Sequence, residues 1–253
     1  MDARTLADTL ADPIGVIGMS YYFSPQAIAI GETIELDVVT FYGAGRGGVL
    51  GDVEPTEVDE VFYFFNPGMI AGLIKKSQGG PARSVIVAKH LEAAAAFAHA
   101  TFGGIDAGVL RSFSDAATTL FDTLPSGQWP LVDGYLALGT PEDLISRAYY
   151  SAVVIRELRG GVHTDAVKAA GMSAVEACQL DREGAYFALH GYGDDQRVEE
   201  TDALKARRLE VEENTSASMA TLLEALGDAE RTALAEGATA MFAALSAPVP
   251  ASG

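Results

Sequence analysis

An all-α fold follows from three features of this chain. Apolar residues recur at helical spacing along most of its length, helix caps and glycine or proline breaks punctuate those stretches, and no convincing strand pattern appears. With 253 residues, 49% of them hydrophobic, the chain is long enough to bury a substantial core as one large domain or two ordinary ones.

Taken in order, residues 14–23 and 25–35 read as short helices, the second opened by Ser24 as cap and Pro25 at the first helical position. The segment 34–42 is ambiguous, because its β-branched and aromatic content also suits a strand. FYGAGRGGVLG, 41–51, holds five glycines in eleven residues. A phosphate-cradling loop would need a Gly-Lys-Ser/Thr ending and a preceding strand, and both are missing, so close approach of helices is the reading kept. Pro55 opens a helix with Val58, Val61, Phe62 and Phe65 on its apolar side, and Asn66-Pro67 ends it. A Gly79-Gly80-Pro81 loop precedes an alanine-rich helix over 82–102. Its His90 and His99 lie nine residues apart, too far round the helix to share a metal, and are assigned structural roles. A helix over 105–123 is followed by a linker at 124–129, which divides the chain into units 1–124 and 125–253.

The second unit carries the most organised stretch. A helix over 143–159 is expected to stop at Gly160-Gly161, a second to start near His163, then a third, a glycine-broken turn and a charged fourth over 194–208. Helices over 210–226 and 228–245 close the chain, with SAPVPASG as a frayed tail. SPQAIAIGETIELDVVTFYG and HTDAVKAAGMSAVEACQLDREG share a pattern of small and apolar positions, which suggests two related helical units about 140 residues apart.

Several blocks resemble a family of actinobacterial helix-turn-helix proteins. They are Tyr22-Phe23-Ser24-Pro25, the glycine-rich 41–51, FYFFNP at 62–67 and, as the most specific, IRELRGGVH at 155–163. The resemblance covers most of the chain. It implies a mostly helical, winged-helix-like fold, which with the repeat above gives two such units, and it supplies little biochemical function. The chain departs from the family pattern at Val49, where a proline is usual, and at RRLEVEENT, which passes from helix to helix without a hairpin wing.

Charge limits the partners. A formal net charge of −18 repels phosphate backbones and anionic lipid, so nucleic acid and membrane surfaces are poor partners. Residues 194–208 carry five acids against four bases, and their first-half counterpart, 52–65, carries five acids and no base. Such helices are unsuited to a DNA groove. A single cysteine, Cys178, excludes a disulfide framework, and with Glu176 and Asp181 nearby its thiolate is disfavoured. The start lacks a signal-peptide pattern and no long apolar run is present, so a cytoplasmic location is expected.

Within this acidic chain Arg46, Arg156, Arg159 and His163 fall in the blocks that carry the resemblance, beside Tyr22, Tyr42 and Tyr63. Cations among aromatic and glycine residues suggest an anion site. Arg46, Arg156, Arg159, Tyr22 and Tyr42 would hold an anionic small molecule between the two halves, and His163 with Tyr63 would exchange a proton. The competing assignment pairs each arginine with a carboxylate such as Glu157 and places the tyrosines in the core. His163 is also of a type that ligates haem iron, though no neighbour demands it, and no other cofactor or metal is implied. Three functions stay open: a small-molecule-binding protein or cofactor-independent acid-base enzyme, a transcriptional regulator acting as an oligomer, and an acidic protein-interaction module. Helices such as 82–102 would pack inside one chain or across a homodimer, and periodicity does not separate the two.

Overall fold

The computed structural model of the chain describes residues 1–246, which form twelve α-helices and two short 3-10 turns with no strand among them. The tail beyond Ser246, read above as frayed, lies outside the described residues.

The first helix, α1 (Ala3–Met19), begins earlier than its apolar spacing suggested because Asp2 caps it, accepting from the Thr5 amide at 2.8 Å. Helix α2 (Pro25–Glu32) is capped by Ser24 as expected. The ambiguous segment resolves into a turn and then α3 (Val38–Gly48), with the Asp37 carboxylate accepting from the Thr40 amide at 2.9 Å. The glycine-rich block is therefore mostly helix, and its glycines are contact points. A Cβ on Gly43 would stand 2.6 Å from Leu73, and one on Gly45 would stand 2.5 Å from the His90 ring. That closeness lets α5 (Met69–Ser77) and α6 (Arg83–Phe102) cover α3, which is buried from Thr40 to Gly48.

Between α3 and α5 lies α4 (Pro55–Val61), which stops short of Phe62 and Phe65 and leaves FYFFNP as a turn. Helices α7 (Ala107–Phe121) and α8 (Pro130–Ala137) flank the 124–129 connection. The largest departure from the sequence reading is α9 (Leu144–Ala169), which runs straight through Gly160-Gly161. A Cβ on Gly161 would come within 2.4 Å of the Trp129 ring, so this glycine answers to packing and not to termination. The real stop is Gly171 at φ +63°, followed by Ser173, which caps α10 (Ala174–Leu180). His163 thus lies inside a helix. The expected fourth helix is also absent as drawn. Residues 194–196 make a single 3-10 turn, and α11 (Asp202–Leu223) starts only at the Thr201 cap. Helix α12 (Asp228–Leu245) ends the fold.

The two segments of similar pattern both fold as helix, turn, helix: α2 with α3, and the end of α9 with α10. The chain shows no break in its core at 124/125. One apolar cluster draws on α1, α3, α6, α7, α9 and α12 alike, and α1 packs against both α11 and α12.

Gly45→Ala should lower unfolding free energy by about 1 to 3 kcal/mol, since His90 is buried among Tyr21, Tyr22 and Phe41 rings and has no room to yield. Gly72, with open space at its Cβ, is the control, and its alanine variant should be level or gain up to about 1 kcal/mol. Equal urea midpoints for the two variants would refute the packing role.

Candidate functional site

Helix α9 places its charged residues within two turns of one another. Glu157 is 2% exposed and points toward α3. Arg46, itself nearly buried, donates to it from Nε at 2.9 Å and Nη2 at 2.7 Å, a bidentate fork, and gives its third direction, Nη1, to the Tyr42 hydroxyl at 3.0 Å. Tyr22 donates its hydroxyl to the same carboxylate at 3.2 Å, and Arg156 donates from Nη1 at 2.8 Å. The Arg46 guanidinium lies 4.6 Å from the Phe62 ring centre, and that of Arg156 lies 5.7 Å from Tyr22. Arg156 reaches this place only because Gly18 on α1 leaves room for its stem, a Cβ there falling 2.7 Å from Arg156 Cβ.

Burial pushes the Glu157 carboxyl up, but Arg156 and Arg46 more than offset it and hold it at about 2. Burial works against the charge on Arg46 as well, and Glu157 outweighs it. Two guanidiniums share one carboxylate. Among the described residues Arg156 has no second partner, and its side chain stays 24% exposed.

The other three candidates form a separate cluster. Thr215 spends its hydroxyl proton on the Val211 carbonyl at 2.7 Å, so His163 donates to it from Nδ1 at 2.9 Å. The Nε2 lone pair then accepts from Arg208 at 3.2 Å. Both ring nitrogens are engaged, and burial pulls the imidazole down to about 4, so it is neutral. Arg159 and Arg208 both pair with Glu212. Tyr63 donates to the Met172 carbonyl at 3.2 Å and lies under Lys168. The structure therefore brings together Tyr22, Tyr42, Arg46 and Arg156, sets Tyr63, Arg159 and His163 apart around α11, and closes the Arg46 fork on Glu157.

The FYFFNP turn touches both groups, with Phe62 beneath Arg46 and Phe64 stacked 5.5 Å from His163. It is clasped by residues 190–191, since the Asn66 amide donates to the His190 carbonyl and its Nδ2 to the Gly191 carbonyl, both at 2.8 Å. His190 escaped the sequence reading. Its ring packs 4.4 Å from Phe65, and Nδ1 lies 3.1 Å from Cys178 Sγ. Burial and then Arg46 and Arg156 lower it to about 4, while burial lifts the Cys178 thiol to about 11. Nothing in the local sequence marks His190, which lies in a turn of irregular backbone after α10.

A cleft of about 440 Å³ is walled by Val49, Leu50, Val61, Pro130 and Gly134, and none of the seven candidates lines it. Among the described residues no group of three or more His, Cys, Asp and Glu side chains could hold a metal, and no helix is long and apolar enough to cross a membrane.

A family model described as a helix-turn-helix family matches residues 3–249. The chain belongs to this helix-turn-helix family. Comparison with curated proteins and with solved structures gave no match. Helix α3, buried from Thr40 to Gly48, is enclosed by α5 and α6.

Glu157→Gln should cost about 3 to 5 kcal/mol of stability, because two guanidiniums lose their common anion. A loss under about 1 kcal/mol by chemical denaturation would show that the pair is not held as described. The pH dependence has two parts. Glu157 is depressed in the folded state, so its stabilisation is complete above the unfolded carboxylate value and fades as pH falls toward 2. His90, His163 and His190, lowered to about 3, 4 and 4, bind protons near 6.5 only when unfolded, so stability should already decline as pH drops from 6.5 toward 4. A melting temperature level across that interval would contradict the burial of neutral imidazoles.

Proposed function

We propose that this helix-turn-helix family member binds an anionic small molecule at Arg156, with Tyr22 and Tyr42 as its walls, and no longer reads nucleic acid. The site lies where the α1 to α2 turn and α3 of the first unit meet α9 of the second. His163 and Tyr63, the pair expected for acid-base chemistry, lie in the other cluster, so binding is the function proposed. The observation that carries the proposal is the charge imbalance around Glu157. Two guanidiniums and one carboxylate leave a positive charge in a half-buried, aromatic setting, and Arg156 keeps N–H groups without a protein partner among the described residues. A desolvated charge of this kind favours an anion from solution. Arg46, which the sequence suggested as the ligand fork, supports Glu157 instead. Two facts support the loss of DNA reading: α3 is buried, and the chain has a net charge of −18.

A thermal-shift series with small carboxylates tests the first part. A ligand present at 100 times its dissociation constant should add about 2.7 kcal/mol to stability. Arg156→Gln should remove the shift, and Arg159→Gln, in the other cluster, should retain it. A shift that survives Arg156→Gln places the ligand elsewhere. For the second part, retention on heparin or a mobility shift with random duplex at physiological salt would be inconsistent with the proposal.

A further inference from the structure

The cleft of about 440 Å³ takes no residue from the Glu157 cluster or from the His163 cluster. One wall comes from the connection after α3 and from α4, through Val49, Leu50, Val53 and Val61, and the other from the start of α8, through Pro130 and Gly134. Gly134 lets the two walls meet, since a Cβ there would stand 2.5 Å from the Val49 carbonyl oxygen. Small-molecule pockets are usually concave, mostly apolar and about 300–1,000 Å³ in volume, with a few placed polar groups. This cleft has that make-up.

Its polar groups share one sign of charge. The charged side chains that line it are Glu57 and Asp133, both acids. Each is fixed by a backbone amide: Glu57 Oε2 accepts from the Glu54 amide at 2.8 Å, within the capping box of α4, and Asp133 Oδ2 accepts from the Gly127 amide at 2.8 Å. The second oxygen of each carboxylate has no protein partner, and neither acid is in an ion pair, among the described residues. Helix α3 ends at this cleft, at Val49 and Leu50, so the negative end of its dipole adds to the two carboxylates. Arg83, which packs against Gly48 at the same helix end, is paired with Asp52.

We propose that this cleft binds a small organic cation, an ammonium group carried on an apolar body. The valine, leucine and proline side chains cover the body, and the free carboxylate oxygens accept from the ammonium N–H groups. A chain of net charge −18 draws any cation toward its surface, and the walls favour those with hydrocarbon to bury. The site shares no residue with Arg156, so it is independent of the anion reading above.

Methyl-resolved NMR spectra of the full chain, titrated with benzylammonium chloride at neutral pH, test this. The Val49, Leu50 and Val61 methyl signals should move together, with a dissociation constant on the order of 1 mM. Benzyl alcohol, which keeps the ring and lacks the charge, and methylammonium, which keeps the charge and lacks the ring, should each bind at least about tenfold more weakly. Benzoate should leave these signals in place. Glu57→Gln retains a capping-box residue and Asp133→Asn retains an acceptor for the Gly127 amide, so both variants should fold. Each should weaken benzylammonium about two- to fivefold, as for a solvent-accessible ion pair, and the double variant should lose the preference for benzylammonium over benzyl alcohol. Glu60→Gln, on the same helix but outside the cleft, should bind as the unaltered chain does. Methyl signals that stay in place at about 10 mM benzylammonium would overturn the site. Benzyl alcohol or benzoate binding as tightly would overturn the cation. Methylammonium binding as tightly, or equal weakening by Glu60→Gln and Glu57→Gln, would reduce the effect to the general pull of an acidic surface and overturn the cleft.

Discussion

The Glu157 carboxylate is the point on which the interior depends. It takes hydrogen bonds from Arg46 on α3, from Tyr22 in the turn after α1 and from Arg156 on its own helix, so three parts of the chain are set by one buried anion. Removing a carboxylate and a guanidinium from water is expensive, and their attraction repays it only when nearly every lone pair and N–H is used. Here Glu157 and Arg46 meet that condition. Arg156 does not: it makes one bond to Glu157 and stays partly exposed.

Other features follow from holding that pair. Helix α3 must come close enough to α9 for the fork to form, and its run of glycines lets α5 and α6 close over it. Gly18 does the same for the stem of Arg156. The FYFFNP turn puts Phe62 under the Arg46 guanidinium and is pinned from the far side by the backbone at 190–191. Helix α3 is used up in the core, and between it, the turn after α1 and α9 lies a seam of aromatic and cationic side chains.

Much of the helical pattern is legible locally. Ser24 caps α2 and Asp143 caps α9 through their own side chains, where the sequence placed helix starts. Gly160-Gly161 misleads because a glycine that admits a neighbouring ring looks the same in sequence as one that ends a helix. The candidate site divides for a similar reason. Arg46, Arg156, Tyr22 and Tyr42 converge, and Glu157 is indeed the competing partner, yet His163 and Tyr63 turn toward Thr215 and Met172. Arg156, Arg159 and His163 are near in chain, but the helix that continues through the glycines spreads them along its length and gives each a different neighbour.

The sequence by itself determined that this chain is helical and acidic, because periodicity, capping and composition act over a few residues or over the whole. Only the tertiary structure decided which arginine is enclosed with Glu157 and which stays partly exposed, and that His190 packs on Phe65. Those outcomes depend on partners a hundred residues apart, 46 with 157 and 66 with 190, and on clearances of a few tenths of an ångström at glycines. No local pattern encodes either one.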